Sequence, residues 1–228
     1  MKKQSISNKF EYQPFNLKIN GMNYLAHLFL SGENEQTMVG NFIGDHVKGR
    51  DWGKFPDNIR KGIIMHRQID TFTDAHPKFR EAKTLFRSEF GLYSGIVIDF
   101  LYDHFLAKNW FDYSDLTLRN FAKRSHTVLL KNFKYLPVRV QGFLPFLIQN
   151  RRLESYASAE GIVQALKIMS NYSTLPAKSD FVMQTITANH NFLDDNFKVF
   201  MFDIIQLINE THGFELKNPD YVSSNKTI

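Results

Sequence analysis

Residues 95–107, GIVIDFLYDHFLA, read as a helix that is apolar on nearly every side. Such a helix cannot rest on a surface and needs neighbours all round it. The rest of the chain supplies them. Helical patterning is expected over Met22 to Ser31, Glu35 to Val47, Pro56 to Asp74, Pro77 to Phe90 and Tyr93 to Trp110, and again near 114–133, 138–149, 159–170 and 180–209. Pro56 suits a first helical turn, where a missing N–H costs nothing. No Asn-Gly or Asp-Gly turn joins alternating apolar runs, so strands lack their usual signal. The expected fold is all-α, a compact single-domain helical bundle, which 228 residues are enough to build.

Residues 1–21 are polar and without a clear period, and they are expected to form a poorly ordered extension, one that could lie upstream of the natural start. The helical domain is expected over 22–210, with a frayed polar tail over 211–228. No apolar stretch reaches the roughly 18 residues of a membrane span, and the basic N-terminus has no apolar core of a secretory signal. The chain has no Cys, which removes disulfides, thiolate metal sites and Cys nucleophiles and fits a cytoplasmic address.

Asp99 and Asp103 stand four apart in the apolar helix, so both carboxylates share one face. A buried carboxylate is costly unless it is paired or coordinates a metal. The residues alone leave both readings open: a metal or catalytic site, or salt bridges to neighbouring helices. In IMHRQIDTFTD, His66, Asp70 and Asp74 follow one another at helical spacing, on a face apart from the Met65, Ile69 and Phe72 stripe. A His and an Asp at i, i+4 can bring two ligands to one ion, although a solvated polar face has the same pattern. His27 lies in an apolar run, YLAHLFL, and Asp45 lies near a helix end in GNFIGDHVKG, where Lys48 could meet a phosphate. His27, Asp45, His66, Asp70, Asp99 and Asp103 together form an oxygen- and imidazole-rich set that suits Mn, Mg, Fe or Zn. Phosphate-binding, dinucleotide-binding, serine-hydrolase and zinc-protease motifs are absent.

The net charge is +5, and from Leu116 to Leu153 there is no Asp or Glu while Arg119, Lys123 and Arg124 open a run of cations. That stretch is either a solvated basic face or the footprint of an acidic partner.

The same segments carry a family likeness. MNYLAHL at 22–28, GNFIGDHVKG at 40–49, IMHRQIDTFTD at 64–74, FREA at 79–82, FRSE at 86–89 and IDFLYDHFLA at 98–107 resemble, in order, the acyl carrier protein phosphodiesterases. The likeness covers about residues 22–110. It implies a hydrolase that removes the 4′-phosphopantetheine arm from holo acyl carrier protein, an acidic substrate, with Mn2+ as the usual metal and a distant kinship to HD-type phosphohydrolases. The chain has no His-Asp dipeptide; Asp45-His46 and Asp103-His104 run in the reverse order, so ligand roles do not follow from that signature. Asp45 matches an aspartate of the family's early Asp-x-Val-basic-Gly block.

On this reading Asp45, His66, Asp70, Asp99, Asp103 and His27 are the expected metal ligands. Lys48 and Arg67 are expected to neutralise phosphate oxygens, and His104 is expected to be the general acid. Arg80, Arg87, Arg119, Lys123 and Arg124 are expected to meet the acidic carrier protein, with neither nucleic acid nor membrane as partner. The rivals are a nucleotide-directed phosphohydrolase and a non-catalytic module that binds acidic helices.

Overall fold

The structure is a computed structural model and describes residues 24–219. These are predominantly helical, and no strand occurs among them. The α-helices run in the order α1 (Tyr24–Leu30), α2 (Glu35–Ile43), α3 (Asp57–Ala75), α4 (Pro77–Thr84), α5 (Arg87–Phe90) and α6 (Ser94–Lys108). They continue as α7 (Trp110–Tyr113), α8 (Leu118–Lys131), α9 (Val138–Gln149), α10 (Arg152–Ser155), α11 (Ala159–Tyr172), α12 (Ser179–Ala188) and α13 (His190–His212).

The apolar helix, α6, is the axis of the molecule. Val97, Ile98, Phe100, Leu101, Phe105 and Leu106 are fully buried on it, and α1, α4, α11 and α13 pack around it. Each such large side chain contributes about 1.5–3 kcal/mol by leaving water. Helix starts are set by side chains that take up free backbone donors. Asn34 accepts from the Thr37 amide, Thr117 from Asn120 and Ser158 from Gly161.

Several boundaries differ from the sequence expectation. The segment expected to run to Val47 stops at Ile43 and tightens into a one-turn 3-10 helix, Gly44–His46. The Pro77–Phe90 segment is broken at Leu85 and Phe86, and the long 180–209 segment at Asn189, whose side-chain amide donates to the Thr185 carbonyl. The first part of the expected tail is docked. Phe214 and Leu216 are partly buried against the core, and Asn209 holds the Leu216 backbone through both its amide nitrogen and its oxygen. The expected extension over residues 1–21 lies outside the described residues.

Helices α2 and α3 cross with backbone against backbone. A Cβ on Gly40 would overlap the Ile59 carbonyl, and one on Gly62 would overlap the Thr37 carbonyl. This close crossing sets the position of the ligands on α3 relative to the turn that follows α2.

Candidate metal centre

Three elements meet beside that crossing. α1 brings His27, α3 brings His66 and, one turn later, Asp70, and the 3-10 turn after α2 brings Asp45. The turn can lie on the His66 ring because Gly44 has no side chain; a Cβ there would strike the ring. The two imidazoles stack at 4.1 Å between centroids, 24° from parallel, and both are buried.

Asn41 fixes both rings. His66 Nδ1 lies 2.8 Å from the Asn41 main-chain carbonyl, and His27 Nδ1 lies 2.7 Å from its side-chain oxygen. A carbonyl only accepts, so His66 Nδ1 carries the proton. The Asn41 amide nitrogen donates to the His27 carbonyl at 2.8 Å and to Ser31 Oγ at 3.0 Å, which fixes its orientation and makes His27 Nδ1 a donor too. Both Nε2 atoms are buried and without a hydrogen-bond partner.

Those two nitrogens face carboxylates. His66 Nε2 is 3.2 Å from Asp70 and 3.4 Å from Asp45, and His27 Nε2 is 3.4 Å from the other Asp70 oxygen. Ligand atoms of His27, His66 and Asp70 all lie within 4.8 Å of one another. A lone pair opposite a carboxylate is repulsive unless a cation or a proton lies between them. The donor set therefore fits a divalent ion, with Nδ1–H held by oxygen and Nε2 free to coordinate. Without a cation a proton takes the place: burial works against the His66 charge, but Asp45 and Asp70 outweigh it and hold the pKa up at about 9. Burial and the neighbouring His66 lower that of His27. Burial would raise the Asp70 carboxyl, yet the two rings hold it well below the usual range. The Asp70 side chain is 46% exposed, so the cluster opens to solvent on that side.

The other expected site residues are placed as follows. Asp99, on α6, has no hydrogen bond or ion pair among the described residues. Burial pushes its carboxyl up, and the carboxylates of Asp70, Asp103, Asp45 and Asp74 push it further, so it belongs to the electrostatic surroundings of the cluster. Asp103 is used otherwise. Its two oxygens accept from the Leu25 amide at 3.0 Å and the Ala26 amide at 2.8 Å, capping α1 from α6. Burial raises its pKa to about 8 against the pull of those amides.

A testable consequence follows from this cap. Asp103→Asn leaves one oxygen for two donors and should cost about 1–3 kcal/mol by stranding a buried amide. The folded pKa lies above the ordinary ~3.9, so this group's contribution to stability falls as pH rises from about 4 to about 8. Thermal unfolding across that range should show the decline in the parent and a flatter profile in the variant. Equal melting temperatures for the two at pH 5 would rule out the capping role.

Arg67 Nη2 donates to the Val47 and Gly49 carbonyls at 3.0 and 2.8 Å, pinning the loop that carries the exposed Lys48. His104 is not brought to the cluster. Its Nδ1 lies 2.8 Å from the Tyr156 carbonyl, and its charged neighbours are Lys108, His190 and Glu160. Arg80 and Arg87 are exposed on α4 and α5, with Arg80 donating to the Asp74 carbonyl at the end of α3. Arg119 and Lys123 are exposed on α8, whereas Arg124 is paired with Glu33 at 2.6 Å and Lys131 with Glu35 at 3.5 Å. The acid-free stretch of sequence is thus partly neutralised in space by Glu33 in the α1–α2 connection and Glu35 at the start of α2. The residue that sequence reading missed is Asn41; a polar residue within GNFIGD gave only its place between two glycines as a signal.

No helix among the described residues is long and apolar enough to cross a membrane. No solved structure matches the chain, so kinship to HD-type phosphohydrolases stands on the sequence resemblance alone. The family described as acyl carrier protein phosphodiesterase matches residues 22–204. The acyl carrier protein phosphodiesterase of Yersinia pestis is 34% identical over 180 residues, covering 78% of this chain and 93% of the relative. The Serratia proteamaculans protein of that name is 30% identical over 186 residues, covering 81% and 96%. With the match extending over most of the helical domain and nearly the full length of these relatives, the chain belongs to the acyl carrier protein phosphodiesterase family.

Proposed function

We propose that the chain hydrolyses the phosphodiester joining 4′-phosphopantetheine to the carrier serine of holo acyl carrier protein, in the cytoplasm, with a divalent cation, Mn2+ by family resemblance. The observation that carries the metal-dependent reading is the pair of stacked, buried histidines, both with Nδ1 engaged and Nε2 orphaned against Asp70. His27, His66 and Asp70 would hold the ion, with Asp45 beside His66 and Asp99 as an unpaired carboxyl nearby. Bound there, a divalent cation supplies neutralisation of phosphoryl charge and a water of lowered pKa.

The chain's own groups do the rest. Asn41 keeps both rings in one tautomer. Arg67 holds the loop so that Lys48 stays on the exposed rim, where an ammonium can meet a non-bridging oxygen. His104, with its ring engaged elsewhere, is not carried forward as the proton donor. The decisive experiment incubates the full chain with holo carrier protein and Mn2+ and follows the carrier by mass spectrometry. Loss of the arm, abolished by a chelator, is the expected result; an unchanged carrier together with nucleotide turnover would overturn the assignment.

Carrier proteins are acidic, and two exposed basic faces are available to one. Arg80→Glu with Arg87→Glu, or Arg119→Glu with Lys123→Glu, should raise KM for holo carrier protein several-fold and flatten its salt dependence, while kcat changes little. Parental KM and salt slope in both double variants would remove charge steering from the picture.

A further inference from the structure

A second place in the molecule shares the features of the candidate metal centre, and none of its residues belongs to that centre. Helices α8, α9 and α10 flank an open cleft of about 520 Å³, lined by Arg119, Lys123, His126, Arg151 and Glu154, with Leu130 and Ile148 as its apolar wall. This volume lies within the range of small-molecule sites, about 300–1,000 Å³.

Three observations set it apart from an ordinary basic surface. First, the cations on α8 divide by direction. Arg124 and Lys131 are neutralised by Glu33 and Glu35, whereas Arg119 and Lys123, and Arg151 across from them, make no side-chain ion pair or hydrogen bond among the described residues. Second, two polar side-chain atoms of its lining are buried without a partner among the described residues, His126 Nε2 on α8 and Glu154 Oε2 on α10. Each such atom costs about 1–3 kcal/mol when left unmade, so the two facing each other across the cleft call for a ligand, or waters that it orders. Third, Arg151 is the one non-glycine residue in the described chain with a left-handed backbone, at φ 45°. That strain holds the α9–α10 junction, and with it the side chain, at the mouth of the cleft.

We propose that this cleft binds a small organic phosphomonoester. Arg119, Lys123 and Arg151 against Glu154 leave an excess of two positive charges, which matches the roughly −1.5 to −2 of a phosphomonoester at pH 7. Glu154 is the acceptor for a hydroxyl or amide donor on the ligand, and Leu130 and Ile148 face its carbon chain. The cleft is separate from the metal centre and shares only Arg119 and Lys123 with the carrier-facing surface, so a failure of the phosphodiesterase reading leaves the cleft intact.

The test titrates the full, metal-loaded chain with pantetheine 4′-phosphate, inorganic phosphate and phosphate-free pantetheine, read by calorimetry and by backbone amide spectra. Pantetheine 4′-phosphate should bind and shift the amides of Asn120, Thr127 and Leu130, and should do so equally in Asp70→Asn. Arg151→Gln and, separately, Lys123→Gln should weaken it about 10- to 100-fold, as expected for losing one charge-assisted contact. Two independent variants guard against one that fails to fold. Binding as tight by inorganic phosphate, or by pantetheine without phosphate, overturns the proposal. So do shifts confined to Asn41, Asp45 and Asp70, or binding that survives both variants. If apo carrier protein moves the cleft amides and the small phosphomonoester does not, the cleft is a protein-docking surface and the proposal falls.

Discussion

In Asp70→Asn, metal uptake should fall by more than the roughly 10- to 100-fold that removing an outer partner of a metal ligand costs. Arm removal should fall by about a thousandfold or more, equivalent to ~4 kcal/mol in the barrier. Among the described residues Asp70 is the one carboxylate that reaches both histidines, with one oxygen 3.4 Å from His27 and the other 3.2 Å from His66. Asn keeps the shape and removes the charge. The histidines remain anchored by Asn41, so helicity should stay near parental, while the melting temperature of the metal-free protein should fall because the protonated His66 loses its Asp70 partner. Calorimetric metal titration together with turnover checks the result. A variant that binds Mn2+ like the parent would remove Asp70 from the centre.

The second large effect is on the fold, and its sign runs against helix propensity. Ala is worth about 1 kcal/mol more than Gly inside a helix. Gly62→Ala should nevertheless destabilise, because its Cβ would meet the Thr37 carbonyl and the Gly40 backbone, neither of which can swing aside. Overpacking against fixed atoms costs about 1–3 kcal/mol, occasionally more, and in a chain of this size each kcal/mol lowers Tm by about 2–4 °C. A net fall of several degrees is therefore expected, along with weaker metal uptake as α2 is levered off α3. A Tm equal to or above the parent's would show that the helices can separate without penalty.

Much of the fold was legible because α6 leaves so few options: a helix apolar on all sides must be enclosed, and the Phe-rich segments around it have the period to enclose it. Half of the centre was legible for a similar reason, since His66 and Asp70 share a helix and their spacing alone makes them neighbours. His27 and Asp45 were named as candidates too, but they reach that pair only through tertiary contacts without a local spacing: Asn41 and Asp103 seat α1, and the α2–α3 crossing places the Asp45 turn. Asp103 shows where the reading of burial runs out. A carboxylate in an apolar helix announces that it has a partner, but a metal ion and the open amides of a helix start satisfy it equally well, and one sequence does not separate them. Asn41 was missed because its role exists only in three dimensions: side chain to one histidine, main chain to the other. The break at Asn189 escaped for the opposite reason, since the apolar pattern runs on through it.

The Asp103 cap also bears on when the centre can come into being. At seven residues, α1 is far too short to hold itself together, and its first amides are tied to a carboxylate 78 residues later in the chain. During synthesis at about 5–20 residues per second, His27 therefore waits about 4–16 s after it is made before the residue that seats its helix exists. A metal met by the nascent chain after Asp70 is made and before Asp103 exists finds His66 and Asp70 without a seated His27, so on this reading ion capture is an event of the completed bundle rather than a template for it.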